Sequence, residues 1–167
     1  KTANASPLKR VSYGVAYKLA ETVGRERAGN GGDHTAKSRV LYFIAWVLAL
    51  RSLRRHLGLS KVRHSLSGAA PIAPDVLMYF LGIGVPIYEA YGQTENAAVA
   101  TTNMVGRMRV GTVGEPQPGI ELRIDDTTGE VLTRHPGNFI GYWNKPEATA
   151  EVLDSDGWLH TGDVGEW

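Results

Sequence analysis

Apolar residues recur every four positions at Val11, Val15, Leu19 and Val23, with mostly polar residues between them. That spacing predicts a helix from Pro7 to about Ala28, with Pro7 in its first turn and the four apolar residues on one face. Gly29-Asn30-Gly31-Gly32-Asp33 breaks it and makes a flexible connection. A second helix is predicted from about Lys37 to His56, closed by Gly58. Its centre, Val40 to Leu50, is uncharged and lies between Arg39 and Arg51. A bilayer-spanning helix needs about 20 apolar residues. This shorter run is therefore either buried or laid along a membrane interface, and burial is the expectation.

Past Lys61 the rhythm changes. Val62 to Leu66 reads as a strand, Pro74 to about Leu81 as a helix, and Val85 to Tyr88 as a second buried strand. Strand, helix, strand at this spacing predicts a parallel pair. Ligands in such sheets gather beyond the carboxyl ends of the strands. Ser67-Gly68-Ala69-Ala70-Pro71 and Tyr91-Gly92-Gln93-Thr94-Glu95 both fall just past strand ends. After Gly106 the chain is rich in turns. Ile120 to Ile124 alternates, Asp125 to Gly129 turns, and Glu130 to Arg134 returns as the hairpin partner. Another turn, from Asp154 to Gly157, precedes Trp158-Leu159-His160. The expected fold is α/β: a partial parallel βαβ unit with two preceding helices, followed by a β-rich, barrel-like subdomain.

Composition narrows the chemistry. Hydrophobic residues make up 43% of the 167, enough for a core. Cysteine is absent, which excludes disulfides and thiolate metal sites. The five histidines (His34, His56, His64, His135 and His160) show no paired ligand spacing, so no structural metal is expected. Charge is uneven: residues 1–63 carry 13 basic and 3 acidic residues, a net of +10, and the remainder carries 5 and 14, a net of −9. Either a solvated basic helical face or contact with an anionic surface accounts for this. No nucleic-acid-binding module is visible, so no nucleic-acid partner is expected. The chain starts at Lys1 without an initiator methionine or signal-peptide pattern and reads as part of something longer.

Tyr91 to Glu95 places an aromatic face, a glycine, a hydroxyl and a carboxylate within five residues. Such a set suits a nucleotide, with a ring for adenine, a hydroxyl for a phosphate oxygen and a carboxylate for a magnesium ion. A glycine turn after a strand would give the same letters for steric reasons alone. Three further stretches add to it: Ser67 to Pro71, Gly141-Tyr142-Trp143-Asn144-Lys145-Pro146-Glu147-Ala148-Thr149, and Asp156-Gly157-Trp158-Leu159-His160-Thr161-Gly162-Asp163. In this order the four resemble the adenylate-forming (AMP-binding) superfamily of acyl-CoA synthetases, luciferases and peptide-synthetase adenylation domains. The long-chain fatty acyl-CoA ligases look nearest.

The resemblance implies that 1–105 is part of the α/β AMP-binding subdomain and 106–167 an incomplete β-rich subdomain. It implies an ATP-dependent acid–thiol ligase that turns a fatty acid into an acyl-adenylate and transfers it to coenzyme A, with Mg2+ as cofactor. By the same likeness Gly68, Ala69, Ala70 and Pro71 line the adenine and acyl pocket, although a tight turn would also want small residues. Tyr91 packs on adenine, Gly92 and Gln93 line the pocket, Thr94 contacts the α-phosphate, and Glu95 is the magnesium-associated carboxylate. Asp163 accepts both ribose hydroxyls. His160, Trp143 and Trp158 are expected to be structural, the two tryptophans anchoring the hairpins.

Some of the family's machinery lies outside this window: a lysine-bearing Ser/Thr/Gly-rich phosphate loop, a lysine-bearing carboxy-terminal domain and a ribose-contacting arginine. The chain by itself is accordingly expected to be inactive and prone to aggregate. The expected location is cytoplasmic, with peripheral membrane contact left open. Two alternatives stand beside this reading: an adenylation domain that loads a carrier protein, and a non-catalytic nucleotide- or membrane-binding paralogue.

Overall fold

A computed structural model describes residues 7–167. They form two compact units. One holds the described residues through Glu89 together with Asn103–Thr112, and the other holds Ala90–Thr102 and Val113–Trp167.

The first unit contains α1 (Pro7–Ala28), α2 (Ala36–Ala45), α3 (Arg51–His56), β1 (Ser65–Ser67), α4 (Pro74–Gly82) and the start of β2 (Ile87–Tyr91). Helix α1 has the predicted bounds, but only the second half of the apolar stripe, Leu19 and Val23, packs inward. Val11 is 64% exposed and Val15 46%, whereas Ala16, Ala20 and Val23 are buried. The cause is a close crossing with α4. A Cβ placed on Gly24 would strike the Met78 carbonyl, and one placed on Gly82 would strike the Ala20 carbonyl. Two helix backbones can approach this closely only across small residues, so Ala16, Ala20 and Gly24 face inward at four-residue intervals. Ala16 and Ala20 join Ala45, Ala49, Leu50, Ile83 and Val85 in one core cluster. Each fully buried Leu or Ile there is worth about 1.5–3 kcal/mol.

The predicted second helix is continuous from Ala36 to His56 but is widened by a π turn at Trp46–Leu50. Thr35 caps its start, accepting from the Ser38 amide. The expectation of burial holds for one face only: Ala45, Ala49 and Leu50 are buried, while Val40, Phe43 and Val47 are each more than 60% exposed. No helix among the described residues is long and apolar enough to cross a membrane.

Strands β1 and β2 pair in parallel, with Ser65 opposite Ile87 and Ser67 opposite Glu89, as the βαβ spacing predicts. Both begin later than expected. Val85 lies past the end of α4 but is tied back to it, its amide donating to Phe80 O. Gly84 turns with φ +80, and Pro86 has no amide to donate to a ladder.

Ala90 and Tyr91, the last residues of β2, pair antiparallel with β3 (Thr101–Thr102), which pairs in turn with β4 (Glu115–Pro116). The second unit continues with β5 (Glu121–Ile124), β6 (Glu130–Arg134), α5 (Pro146–Val152) and β7 (Leu159–Val164). The predicted hairpin is present: β5 and β6 pair antiparallel, Leu122 opposite Thr133, and β7 adds to the free edge of β6. Asp125 fixes the turn by accepting from the Thr128 amide and hydroxyl and from the Thr127 amide, bonds that hold its carboxyl below the usual range. Trp158 anchors this sheet as expected, flanked by the guanidinium groups of Arg123 and Arg134 at 4.4 and 4.6 Å from the ring centre. Trp143 does not: it is 88% exposed.

Candidate functional site

Tyr91 closes β2, and the chain then turns through Gly92 and Gln93 into a single 3-10 turn, Thr94–Asn96. Asn96 is fully buried and locks the turn, its Oδ1 accepting from the Gln93 amide at 2.8 Å. Ala97 and Ala98 both adopt left-handed backbone, φ 61 and 72, which non-glycine residues adopt at a cost. The reversal brings the Ala98 carbonyl back over Gly92, where a Cβ would lie 2.5 Å from the oxygen. Gly92 is thus required by a backbone-to-backbone approach.

This turn leaves Thr94 exposed and sets Tyr91, Gln93 and Glu95 against later parts of the same unit. The Tyr91 hydroxyl donates to Asp163 Oδ2 at 2.7 Å. Gln93 Nε2 donates to the Thr161 carbonyl at 3.2 Å. Thr161 is itself held by its hydroxyl, which donates to Val131 O at 2.7 Å, and the neighbouring Gly162 amide donates to Glu130 Oε1. Glu130 Oε2 lies 3.1 Å from His160 Nδ1, so His160 is a packed residue beside the site. Burial, together with the bond to Asp163 and that carboxylate's charge, pushes the Tyr91 phenol up to about 12, against the opposing bonds of Thr161 and Gln93. The phenol therefore remains a donor across the neutral range.

On the other side of the turn, Glu95 O accepts from the Phe139 amide at 2.7 Å, and Glu95 Oε1 accepts from the Tyr142 hydroxyl at 2.8 Å. Phe139 and Tyr142 meet edge to face at 4.8 Å. That bond to Glu95 raises the Tyr142 phenol above its ordinary value. Tyr142 was not singled out in the sequence, although it lies in Gly141-Tyr142-Trp143-Asn144. Its neighbour Trp143 is the larger aromatic, yet it is Tyr142 that reaches the site. Thr161 and Glu130 also carry no sequence signal of a positioning role.

Gly68, Ala69, Ala70 and Pro71 belong to the first unit, in the exposed turn that leaves the carboxyl end of β1. Ala69 is left-handed at φ 67. The turn is tied back by Glu89, whose Oε1 accepts from the Ile72 amide at 3.3 Å. The structure thus brings Tyr91, Gly92, Gln93, Thr94, Glu95 and Asp163 into one cluster, with Gly68–Pro71 in the other unit.

Chemically the cluster offers three things. Asp163 is exposed and retains acceptor capacity after binding the Tyr91 hydroxyl, since an ionised carboxylate has about four lone-pair sites. Thr94 presents an exposed hydroxyl. Glu95 keeps a second carboxylate oxygen beyond the one bound by Tyr142. No group of three or more His, Cys, Asp or Glu side chains that could cage a metal exists among the described residues. A lone carboxylate suits an ion such as Mg2+, which is held mostly by substrate phosphates and water.

Residues 18–143 match the family model described as AMP-binding enzyme. The chain belongs to the AMP-binding enzyme family, the adenylate-forming superfamily that its motifs resemble. A Mycobacterium tuberculosis protein named as a fatty-acid–CoA ligase is 49% identical over 117 residues, covering 70% of this chain and 20% of that protein. A long-chain-fatty-acid–CoA ligase of Xenopus laevis is 36% identical over 168 residues, covering 98% of this chain and 22% of that protein. Among solved structures, an anthranilate–CoA ligase in complex with anthranoyl-AMP is similar with a TM-score of 0.59 at 27% identity, covering 71% of this chain and 25% of that one. The chain spans about a fifth of the length of these curated relatives.

Proposed function

We propose that this chain is a segment of an ATP-dependent fatty acid–CoA ligase acting on long-chain acids, and that the Tyr91–Glu95 turn with Asp163 holds the adenylate. The observation that carries the proposal is the 2.7 Å bond from the Tyr91 hydroxyl to Asp163. It joins two motif residues 72 positions apart and leaves the carboxylate able to accept from a vicinal diol. The names of relatives at 36 and 49% identity support the choice of a fatty acid, and an acyl-adenylate in a solved neighbour supports the intermediate.

In the proposed reaction the fatty acid carboxylate attacks the α-phosphorus of ATP. The bond to the bridging oxygen breaks, and pyrophosphate leaves. The thiolate of coenzyme A then attacks the acyl carbon and AMP departs, so no covalent intermediate on the protein is needed. Thr94 donates to an α-phosphate oxygen, and Asp163 fixes the ribose. The Tyr91 ring lies against adenine while its hydroxyl keeps Asp163 oriented. Glu95, steadied by Tyr142, is the residue that would hold Mg2+, which offsets phosphate charge when bound. Such preorganised donors and charges are usually the largest catalytic contribution. The 167-residue chain by itself lacks a lysine-bearing phosphate loop, and the proposal holds it inactive alone.

The test is fatty-acid-dependent exchange of labelled pyrophosphate into ATP by the protein expressed from its complete reading frame. Exchange that requires a long-chain acid and falls at least tenfold in Asp163→Ala is the expected result. Exchange driven equally by unrelated acids would remove the substrate assignment, and none with any acid would remove the enzyme. Transfer to a carrier domain in place of coenzyme A would select the carrier-loading reading. A peripheral membrane location is a further part of the proposal, supported by exposed Val40, Phe43 and Val47 between the basic pairs Lys37/Arg39 and Arg51/Arg55. Absence of co-sedimentation with anionic vesicles would rule it out.

A further inference from the structure

The parallel strands have a second end. Val62, Arg63 and His64 lead into β1, Gly84 and Pro86 lead into β2, and together with residues of the helices they line a cavity of about 360 Å³. Its charged wall consists of Arg27, Arg54 and Arg63, the imidazoles of His34 and His64, and one carboxylate, Asp33. The Gly68–Pro71 turn leaves the opposite, carboxyl end of β1, so the cavity is separate from the ligand side of this βαβ unit.

Arg27 and Arg54 are each 8% exposed, and neither forms an ion pair with a carboxylate among the described residues. They differ in how their five donors are used. Arg54 uses all of them. Its Nε and Nη2 donate to Leu59 O, Nη2 also to Val62 O, and Nη1 to Gly84 O and the Tyr42 hydroxyl. Arg54 is therefore a brace for the loops around it. Arg27 uses only two, from Nε to Gly32 O and from Nη1 to Leu81 O, both at 2.8 Å. Its Nη2 has no protein acceptor among the described residues. A largely buried guanidinium whose open donors reach the cavity offers them to an anion there. Burial lowers its pKa from the ordinary value, but an arginine remains charged.

We infer that this cavity binds a phosphate-type dianion, either inorganic phosphate or the head of a phosphomonoester, held by Arg27 and Arg63. Three guanidinium groups against Asp33 give the wall a net charge of +2 with both imidazoles neutral, which matches a dianion. The planar fork of arginine matches phosphate oxygens. The volume exceeds that of a phosphate several-fold, leaving room for the group that carries it. Burial, then Arg27 and Arg39, hold His34 below its ordinary value, with Asp33 opposing. An anion among these groups favours the protonated ring and so raises the His34 value.

The experiment titrates sodium phosphate into the protein expressed from its complete reading frame, at constant ionic strength against chloride. Affinity is followed by calorimetry and the His34 ring by NMR. Saturable binding at one site is expected, with a rise in the His34 pKa. The Arg63 side chain is exposed, so Arg63→Gln should weaken phosphate at least fivefold without lowering Tm. Arg27→Gln should abolish binding, and the Arg63 variant keeps the test valid if Arg27→Gln fails to fold. A saturating hydrolysis-resistant acyl sulfamoyl-adenosine, which fills the nucleotide site, should leave this phosphate binding unchanged. Glycerol 3-phosphate and phosphatidate vesicles then distinguish the source of the phosphate. Arg63-sensitive recruitment to vesicles assigns it to a lipid headgroup, and binding of the soluble ester alone assigns it to a free metabolite. Phosphate no more effective than chloride, Arg63→Gln binding as tightly as the parent, or displacement of the phosphate by the acyl sulfamoyl-adenosine would each overturn the inference.

Discussion

Replacing Tyr91 by phenylalanine deletes one oxygen and keeps the ring, which isolates the bond to Asp163. The bond is short, 2.7 Å between oxygens, as expected of a hydroxyl donating to a carboxylate. Hydrogen bonds to charged groups contribute about 1.5–3 kcal/mol when well buried. Asp163 is exposed and Tyr91 only half-buried, so solvent screening reduces this to about 1 kcal/mol. The sign with pH follows from the phenol. Its pKa in the fold is raised from 10.0 to about 12, with burial the largest cause. A raised value means the fold favours the neutral form, so the stabilisation is complete below pH 10 and is lost as pH climbs towards 12. Denaturant unfolding of the parent and Tyr91→Phe at pH 8 and pH 11 tests this. The parent should be more stable by about 1 kcal/mol at pH 8, and since one pH unit above 10 removes about 1.4 kcal/mol the gap should close or reverse at pH 11. A gap that stays constant between the two pH values would refute the reasoning. So would a variant more stable than the parent at pH 8.

Glu95→Gln should slow adenylation by at least about a hundredfold, of the order seen on losing a well-aimed electrostatic group. Tyr142→Phe should cost only about three- to tenfold, with a higher Mg2+ requirement; pyrophosphate exchange at varied Mg2+ measures both. Gly92→Ala drives a Cβ towards the Ala98 carbonyl and should destabilise by about 1–3 kcal/mol, read as a lower Tm and weaker AMP binding. Gly82→Ala should cost at least as much by prising α1 from α4. Gly14→Ala, in an exposed stretch of α1 with open space around it, should stabilise by about 0.5–1 kcal/mol.

The parallel pair was legible because strand, helix and strand follow at a spacing that only a crossover satisfies. The β5–β6 hairpin was legible because alternation flanks an Asp-rich turn. The inward face of α1 was not. Hydropathy points to Val11 and Val15, but the packing distance to α4 is set by Gly24 and Gly82, and such closeness selects alanine and glycine. In the cluster, Tyr91, Thr94, Glu95 and Asp163 could be picked out by motif. Their mutual geometry could not, because the Tyr91–Asp163 contact spans 72 residues and Asp163 reaches it on β7, whose pairing with β6 shifts register between Glu130 and Leu132. Tyr142 was hidden by its neighbour: Trp143 has the greater apolar area, yet it points to solvent.

The central claim is that Asp163 and the Tyr91–Glu95 turn hold an acyl-adenylate. Calorimetric titration of a hydrolysis-resistant acyl sulfamoyl-adenosine into the protein from its complete reading frame, as parent and as Asp163→Ala, tests it most directly. The account predicts one site, with affinity at least tenfold weaker in the variant and a difference that shrinks when the 2′-deoxyribose analogue is used. Equal affinity in the two proteins, with Asp163→Ala folded as judged by its Tm, would contradict it.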